Sequence, residues 1–542
     1  MMICLLLIVS TVLLFRDSCY CDVTEPQVKT KWATIRGVIE NVGPRAVNCF
    51  LGIPYAKPPV GELRFRKPQP LNKSYRGIFH AHKLPRNCPQ PSGSISESSE
   101  DCLYLNVWYA QSESSSLRPV MLFIHGGAFE MGGSAKRKYY GSYLAAKGNV
   151  ILVSINYRLG AFGFLFGNDE HEAPGNVALF DQRMAMAWVK ENIRAFGGDP
   201  DRITLFGQSA GSMSIGLHLI VDESRALFER VIMMSGVPVD DVVMESPEIG
   251  LSKSRKLAEI LGCQQNENFT TSDKLTKSEL TCLRRIPAEK ILEYQGNPQV
   301  VALGYNCGLI PFNPIYGSEF LAYSTNKLME IGHFKKNISI MIGNVLNEGS
   351  VIDGIWQTSH VNTTTDALKV LEHYKPRAMS PSVGDNLAAF FKIYFADTEH
   401  PRISYLSLLS DLFFHCPTLI YAKKLAEFNK VNFYYFTYRS ENSQNQYGPN
   451  HGEDVDYLFG LPFQEEHKYN EDDRSVSREM IRIWSDFTRN ETLFWPEIIH
   501  TKIGVVFPIQ YEINPYVKPP KIHPDPSYDK CQFWARVASI GW

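Results

Sequence analysis

Ile203-Thr204-Leu205-Phe206, then Gly207-Gln208-Ser209-Ala210-Gly211, then the run Ser212 to Ile220 form the stretch that decides how this 542-residue chain folds. The first four residues read as a buried strand and the last nine as a helix, which leaves five residues for the turn between them. A serine at the apex of so tight a strand-to-helix turn needs small residues two before and two after it, because the backbone there is crowded by the neighbouring strand and helix. The turn lifts the Ser209 hydroxyl to the carboxyl edge of a sheet. It also aims the positive end of the following helix at whatever charge develops there. Gly-x-Ser-x-Gly by itself is equally compatible with a plain turn; the strand before it and the helix after it make Ser209 a candidate nucleophile.

The surrounding sequence repeats the same alternation. Val120-Met121-Leu122-Phe123-Ile124 is a continuous apolar strand that stops at His125-Gly126-Gly127, and Val150 to Ile155 is another that stops at Asn156-Tyr157-Arg158. Between Asn176 and Arg194, Phe180, Met184, Ala187 and Trp188 recur at the spacing of one helix face, and Gly197-Gly198-Asp199-Pro200 is expected to stop that helix. Strands alternating with amphipathic helices predict an α/β fold with a central, mostly parallel sheet and helices on both faces. A nucleophilic serine in that setting calls for backbone donors to a tetrahedral oxyanion. The amide of Ala210 is one candidate, and the glycine-rich loop His125-Gly126-Gly127-Ala128-Phe129 offers Gly127 and Ala128 as others.

Composition limits the alternatives. With 44% hydrophobic residues and a formal net charge of -2, the chain can bury a large core and shows no basic footprint for a phosphate backbone, so nucleic acid is not an expected partner. No linker, repeat or low-complexity tract interrupts it, which predicts one domain over 22–542, and the apolar start predicts a signal peptide over residues 1–21. Met1 to Phe15 is almost wholly apolar yet short for a bilayer, and Arg16-Asp17-Ser18-Cys19 follows; cleavage is expected between Ser18 and Asp22 although no basic residue precedes the apolar run. A secreted product without a stable membrane anchor follows. Asn-x-Ser/Thr acceptors at Asn72, Asn268, Asn337, Asn362 and Asn490 agree with that route, as do eleven cysteines, of which Cys4, Cys19 and Cys21 lie in or beside the leader. The sequence leaves the oligomeric state open.

These segments together resemble the type-B carboxylesterase and cholinesterase family, from about Thr30 to Trp534. The resemblance is carried by the Ser209 motif, Phe50-Leu51-Gly52-Ile53-Pro54-Tyr55-Ala56 with Arg64-Phe65, Glu100-Asp101-Cys102-Leu103-Tyr104-Leu105-Asn106, Asn156-Tyr157-Arg158 and Asp181-Gln182. It implies an α/β-hydrolase fold, ester hydrolysis without metal or organic cofactor, and a Ser-Glu-His triad. It places the acid at Glu348, in Gly343-Asn344-Val345-Leu346-Asn347-Glu348-Gly349, and the base at His451, in Gly448-Pro449-Asn450-His451-Gly452-Glu453-Asp454. Without the resemblance neither would stand out among the loop carboxylates and the 14 histidines. It also implies disulfides Cys88 with Cys102, Cys263 with Cys282, and Cys416 with Cys531, leaving Cys49 and Cys307 with no assigned pairing.

The substrate implied is a small neutral ester. Cholinesterases carry a tryptophan in the loop before Glu100-Asp101-Cys102, where its face attracts a quaternary ammonium; here the loop from Cys88 to Cys102 has no aromatic residue. They also resemble one another in a glutamate before the nucleophile, where this chain has Gln208. The stretch Cys307-Gly308-Leu309-Ile310-Pro311-Phe312 is light in aromatics, which leaves room for larger acyl groups. Gln208, Asp181-Gln182, Arg64-Phe65 and the Gly448 to Asp454 spacing also look like juvenile hormone esterases, and lipid esters fit the same frame. The alternative from another class, a neuroligin-like adhesion protein, is opposed by three occupied triad positions and an oxyanion loop.

Overall fold

The computed structural model describes residues 25–71, 74–91, 97–264, 273–304, 310–379, 381–396, 399–443, 445–498, 509–516, 522–524 and 527–538. The leader, Asn72, Asn268 and Cys307 lie outside the described residues.

Eleven strands form the main sheet: β1 (Val38–Val42), β2 (Arg45–Pro54), β3 (Tyr104–Ala110), β4 (Arg118–Ile124), β5 (Ile151–Ile155), β6 (Gly198–Gln208), β7 (Arg230–Met234), β8 (Ser339–Val345), β9 (Lys430–Phe436), β10 (Ile509–Ile513) and β11 (Ile522–Pro524). Their spatial order is β11-β10-β9-β8-β7-β6-β4-β5-β3-β2-β1. The pairs from β5 through β10 are parallel, and β1, β2, β3 and β11 join at the edges as antiparallel strands. Parallel strands run as continuous apolar stretches because both faces are covered. Alternate residues of β4 show this: Val120, Leu122 and Ile124 belong to one apolar cluster, Met121 and Phe123 to the other.

The helices that matter to the site are α1 (Val177–Asn192), α2 (Ala210–Ile220), α3 (Gly349–Trp356), α4 (Pro401–Ser410), α5 (Cys416–Ala426), α6 (Glu453–Leu458) and α7 (Glu471–Arg489). Val189 of α1 and Ile215 of α2 pack in the first cluster, and Met480 and Trp484 of α7 in the second, so both faces of the sheet are covered. Helix α7 starts at a capping box in which Asn470 Oδ1 accepts from the Asp473 amide and Asp473 Oδ2 from the Asn470 amide. α4 and α5 are joined through a π-helical turn at Asp411–His415. Pro401–Ala426 contains an apolar window long enough to cross a membrane, yet 83% of that window is buried inside the protein.

Gly197, at φ 79°, ends the turn after α1, but the next residues are already extended. Gly198 pairs with Arg118, and pairing with β4 resumes only at Ile203. The expected stop therefore includes the start of a strand, interrupted where Pro200 has no amide to give to a ladder. The three disulfides join Cys88 to Cys102, Cys263 to Cys282 and Cys416 to Cys531, and Cys49 is a buried free thiol.

Two buried charges near the carboxyl edge are handled in opposite ways. Arg158, after β5, sets its Nη2 2.7 Å from Asp181 Oδ1 and its Nε 2.8 Å from Oδ2, a two-pronged pair sealed from solvent that ties the β5 end to α1. Asp454, in α6, is also fully buried, but its Oδ2 accepts a 3.2 Å bond from the Tyr434 hydroxyl and its Oδ1 has no partner. Burial first, and the Glu348 charge second, push its carboxyl up from 3.8 to about 7. Arg158→Met, which strands the Asp181 carboxylate, is expected to cost about 3–5 kcal/mol in urea unfolding; a loss below about 1 kcal/mol would refute the pairing argument. For Asp454 the folded value lies above the unfolded one, so the folded state is penalised increasingly as pH rises from about 4 to about 7 and by a constant amount above that. Asp454→Asn is thus expected to raise Tm at about pH 8 more than at about pH 4, and equal shifts at both would show that the carboxyl is not the source.

Candidate active site

Ser209 sits where β6 turns into α2, with φ 57° and ψ -125°. That is a region a serine adopts only under constraint, at a cost of about 1–3 kcal/mol. Its amide is tied to the end of β7 by a 2.8 Å bond to the Met234 carbonyl, and its carbonyl accepts from the Met213 amide at 2.9 Å to open α2. Helix and sheet approach so closely that a Cβ on Gly211 would lie 2.0 Å from the Ile124 carbonyl oxygen. This is the physical reason for the glycine two residues after the serine. The backbone is packed tightly and the Ser209 side chain is left half-buried at the carboxyl edge.

The loop after β4 passes directly over it. A Cβ on Gly126 would lie 2.9 Å from Ser209 Cβ, which puts this loop in contact with the serine. Gly127, Ala128 and Phe129 then take three successive positive φ values, 120°, 55° and 58°, and the turn closes with Glu130 and Met131 amides donating to the Gly127 carbonyl. His125 underpins the loop: its ring stacks on Tyr157 at 4.3 Å, and its buried imidazole is pushed down to about 4, so it stays neutral. Ala210, at the first turn of α2, contributes an amide that α2 itself does not use.

Glu348 follows β8 and is fully buried. Its Oε1 accepts from the Val345 amide at 2.8 Å and from Asn344 Nδ2 at 3.2 Å, and its Oε2 lies 2.5 Å from His451 Nδ1. The two loops are also joined by the Asn347 amide to the Pro449 carbonyl at 3.1 Å, Asn347 Nδ2 to Asn450 Oδ1 at 3.4 Å and the His451 amide to Ser350 Oγ at 3.0 Å. A carboxylate at Nδ1 takes the proton of that nitrogen in hydrogen bonding and leaves Nε2 as the basic atom of the neutral ring. Nε2 lies 3.0 Å from Gln208 Nε2. Among the described residues no hydrogen bond joins Ser209 Oγ to His451.

Residues far apart in sequence thus converge here: Ser209 with Ala210, the Gly127-Ala128 loop, and the Glu348-His451 pair. Asn337, Asn362 and Asn490 are exposed elsewhere on the surface. Among the described residues no group of three or more His, Cys, Asp or Glu side chains could hold a metal ion. The sequence reading did not single out two residues that shape the site. Gln90, within the Cys88 to Cys102 loop, accepts from the Gly132 amide at 3.0 Å and donates to the Gly132 carbonyl at 2.7 Å, bracing the end of the glycine-rich loop after β4. Phe414, thrown out of register by the π-turn, packs its ring 4.6 Å from that of His451. Neither carries a motif, since a bracing amide and a packing ring are set by distance in space.

Comparison with known proteins gives the family. Residues 24–512 match the model of the carboxylesterase family. The chain is similar to a cholinesterase of Mus musculus, 32% identical over 540 residues that cover 94% of this chain and 86% of the mouse protein. It is also similar to acetylcholinesterase-1 of Trittame loki, 32% identical over 521 residues and 90% of each chain. The sheet and its helices have the α/β-hydrolase fold. The chain belongs to the carboxylesterase family and is a carboxylic ester hydrolase of the serine esterase kind.

Proposed function

We propose that the protein is a secreted carboxylesterase that hydrolyses small neutral esters through Ser209, His451 and Glu348. The observation that supports the reading is a strained, half-buried serine whose chain neighbour Gln208 touches a histidine whose Nδ1 is already committed to a buried carboxylate. His451 Nε2 takes the Ser209 proton as Oγ attacks the ester carbonyl, and Glu348 holds the tautomer and stabilises the imidazolium. The amides of Gly127, Ala128 and Ala210 receive the oxyanion; one such donor is worth about 3 kcal/mol in the barrier. The alcohol leaves with the proton from His451, and water, deprotonated by the same nitrogen, releases the acid from the acyl-serine. Three disulfides and the apolar leader support an extracellular, oxidising location.

Two similar proteins are named for choline esters, but the site's aromatic inventory points elsewhere. Phe129 is buried against Phe164, and Trp356 lies flat on Tyr374 at 4.2 Å. Tyr447 already has the Arg402 guanidinium 5.8 Å from its ring. Each of these rings is thus already engaged by a neighbour, and the Cys88 to Cys102 loop brings no aromatic residue at all. Gln208, next to the nucleophile, supplies no carboxylate to offset a cation's desolvation.

Ser209→Ala is expected to lower p-nitrophenyl butyrate hydrolysis at least about 1,000-fold while secretion and Tm hold. Retention of more than about one per cent of the activity, or a fluorophosphonate label mapped to another residue, would remove Ser209 from the mechanism. For substrate choice, kcat/KM for butyrylcholine is expected to be about 30-fold or more below that of an uncharged butyrate ester, the equivalent of the ~2 kcal/mol an aromatic face would provide. Equal efficiencies would assign the protein to the cholinesterases instead.

A further inference from the structure

The amide of Gln208 occupies a place that ester hydrolysis as described above does not use. The side chain is only 5% exposed and lies in a slot between two glycines: a Cβ on Gly126 would come within 2.9 Å of its Oε1, and one on Gly452 within 3.0 Å of its Nε2. From that slot its Nε2 reaches His451 Nε2 at 3.0 Å. The other ring nitrogen is committed to Glu348 Oε2, whose partner oxygen is filled by Val345 and Asn344. A neutral imidazole with its proton on Nδ1 has a single in-plane lone pair at Nε2, and an amide nitrogen has only hydrogens to offer. Gln208 therefore donates to the same lone pair that must take the serine proton.

We propose that Gln208 is a positioning residue: in the resting site it holds His451 as the neutral, Nδ1-protonated base by donating to Nε2, and it gives up that lone pair to Ser209 when substrate enters. The proposal rests on the triad reading above. It accounts for the direction of the His451 Nε2 bond, toward residue 208 and not toward Ser209 Oγ. A donor at this place favours the neutral ring, because an imidazolium N–H would meet the amide's hydrogens head-on. The charged and titratable groups around the ring come from every side of it. Glu348 sits at Nδ1; Glu453, Asp454 and Asp456 lie on α6; Lys138 and His467 line the same cavity of about 700 Å³ that His451 borders; Phe414 covers the ring from the π-turn. Substituting residue 208 leaves all of them in place.

The test is the pH dependence of kcat and KM for an uncharged butyrate ester in the parent, Gln208→Glu and Gln208→Met, between about pH 5 and pH 9. A carboxylate at 208 accepts from the imidazolium and stabilises it. The acid limb of Gln208→Glu is expected to move up by about one pH unit or more, so that kcat/KM at about pH 6 relative to about pH 9 falls about tenfold against the parent. Gln208→Met, which keeps the length and loses the donor, is expected to move the limb the same way by about half a unit and to do so in kcat more than in KM. It also serves if the glutamate variant does not accumulate as folded protein. An acid limb unmoved in the folded variants, or moved downward, would overturn the proposal. A fluorophosphonate label on Ser209 in the parent separates the outcomes: with the label present and the limb unmoved, the Gln208 role fails and the triad reading stands; with no label at Ser209, the triad reading itself fails.

Discussion

Ser209 can hold φ 57° only because everything around it is over-determined. A serine left to itself relaxes out of that region, and the strain of about 1–3 kcal/mol has to be offset by contacts that a relaxed backbone would break. The β7 end holds its amide, α2 holds its carbonyl, and the Ile124 carbonyl stands so close to Gly211 that the helix has one place to start. The strained turn gives a half-buried hydroxyl at the end of a buried strand. It also brings the first amides of α2 to the same point. In the proposed mechanism nucleophile and part of the charge-stabilising apparatus are thus one covalent feature, which is why a short motif can encode both.

The remaining parts reach that point from elsewhere in the sequence, and each is held by its own local device. The glycine-rich loop after β4 keeps three left-handed residues because the His125 ring is stacked on Tyr157 at its start and Gln90 grips its far end at Gly132. Gln90 lies in the loop closed by Cys88 and Cys102, so that disulfide bears on the site although it is not part of it. The acid and base loops are tied together by backbone bonds, and Glu348 arrives with one oxygen already satisfied. A carboxylate held this way has one oxygen available and one direction in which to use it. Beside this paired carboxylate lies the half-satisfied carboxyl of Asp454, and the contrast with the fully paired Asp181 shows how the same edge of the sheet treats charge. Asp181 ties two elements together, whereas Asp454 is neutral over much of the pH range in which an uncovered aspartate would be ionised.

Much of this was legible in the residues themselves. The parallel core, the elbow at Ser209 and the loop at Gly126-Gly127 follow from periodicity and from glycines, because those signals are local: a strand's apolar run and a crowded turn leave their mark within a few positions. The pairs Cys88–Cys102, Cys263–Cys282 and Cys416–Cys531 and the candidates Glu348 and His451 came from family resemblance, since nothing local distinguishes a cysteine's partner or one loop carboxylate from another. The expected stop at Gly197 to Pro200 contains a strand start because β4 pairs with Gly198, a tertiary contact that local turn chemistry does not report. Phe414 and Gln90 could not be found at all, being defined by proximity across the fold.

By itself, then, the sequence determined the class of fold and the strand-turn-helix that carries Ser209, because each depends on residues adjacent along the chain. Only the tertiary structure decided what the histidine faces. Gln208 and His451 stand 243 positions apart, and whether the ring's basic nitrogen meets a hydroxyl or an amide is set by a difference in side-chain placement that no spacing encodes. Gly126 and Gly452, still farther apart in the chain, leave the slot in which that amide lies, and a hydrogen bond needs its two atoms within about 3.2 Å of each other before chemistry can choose between them.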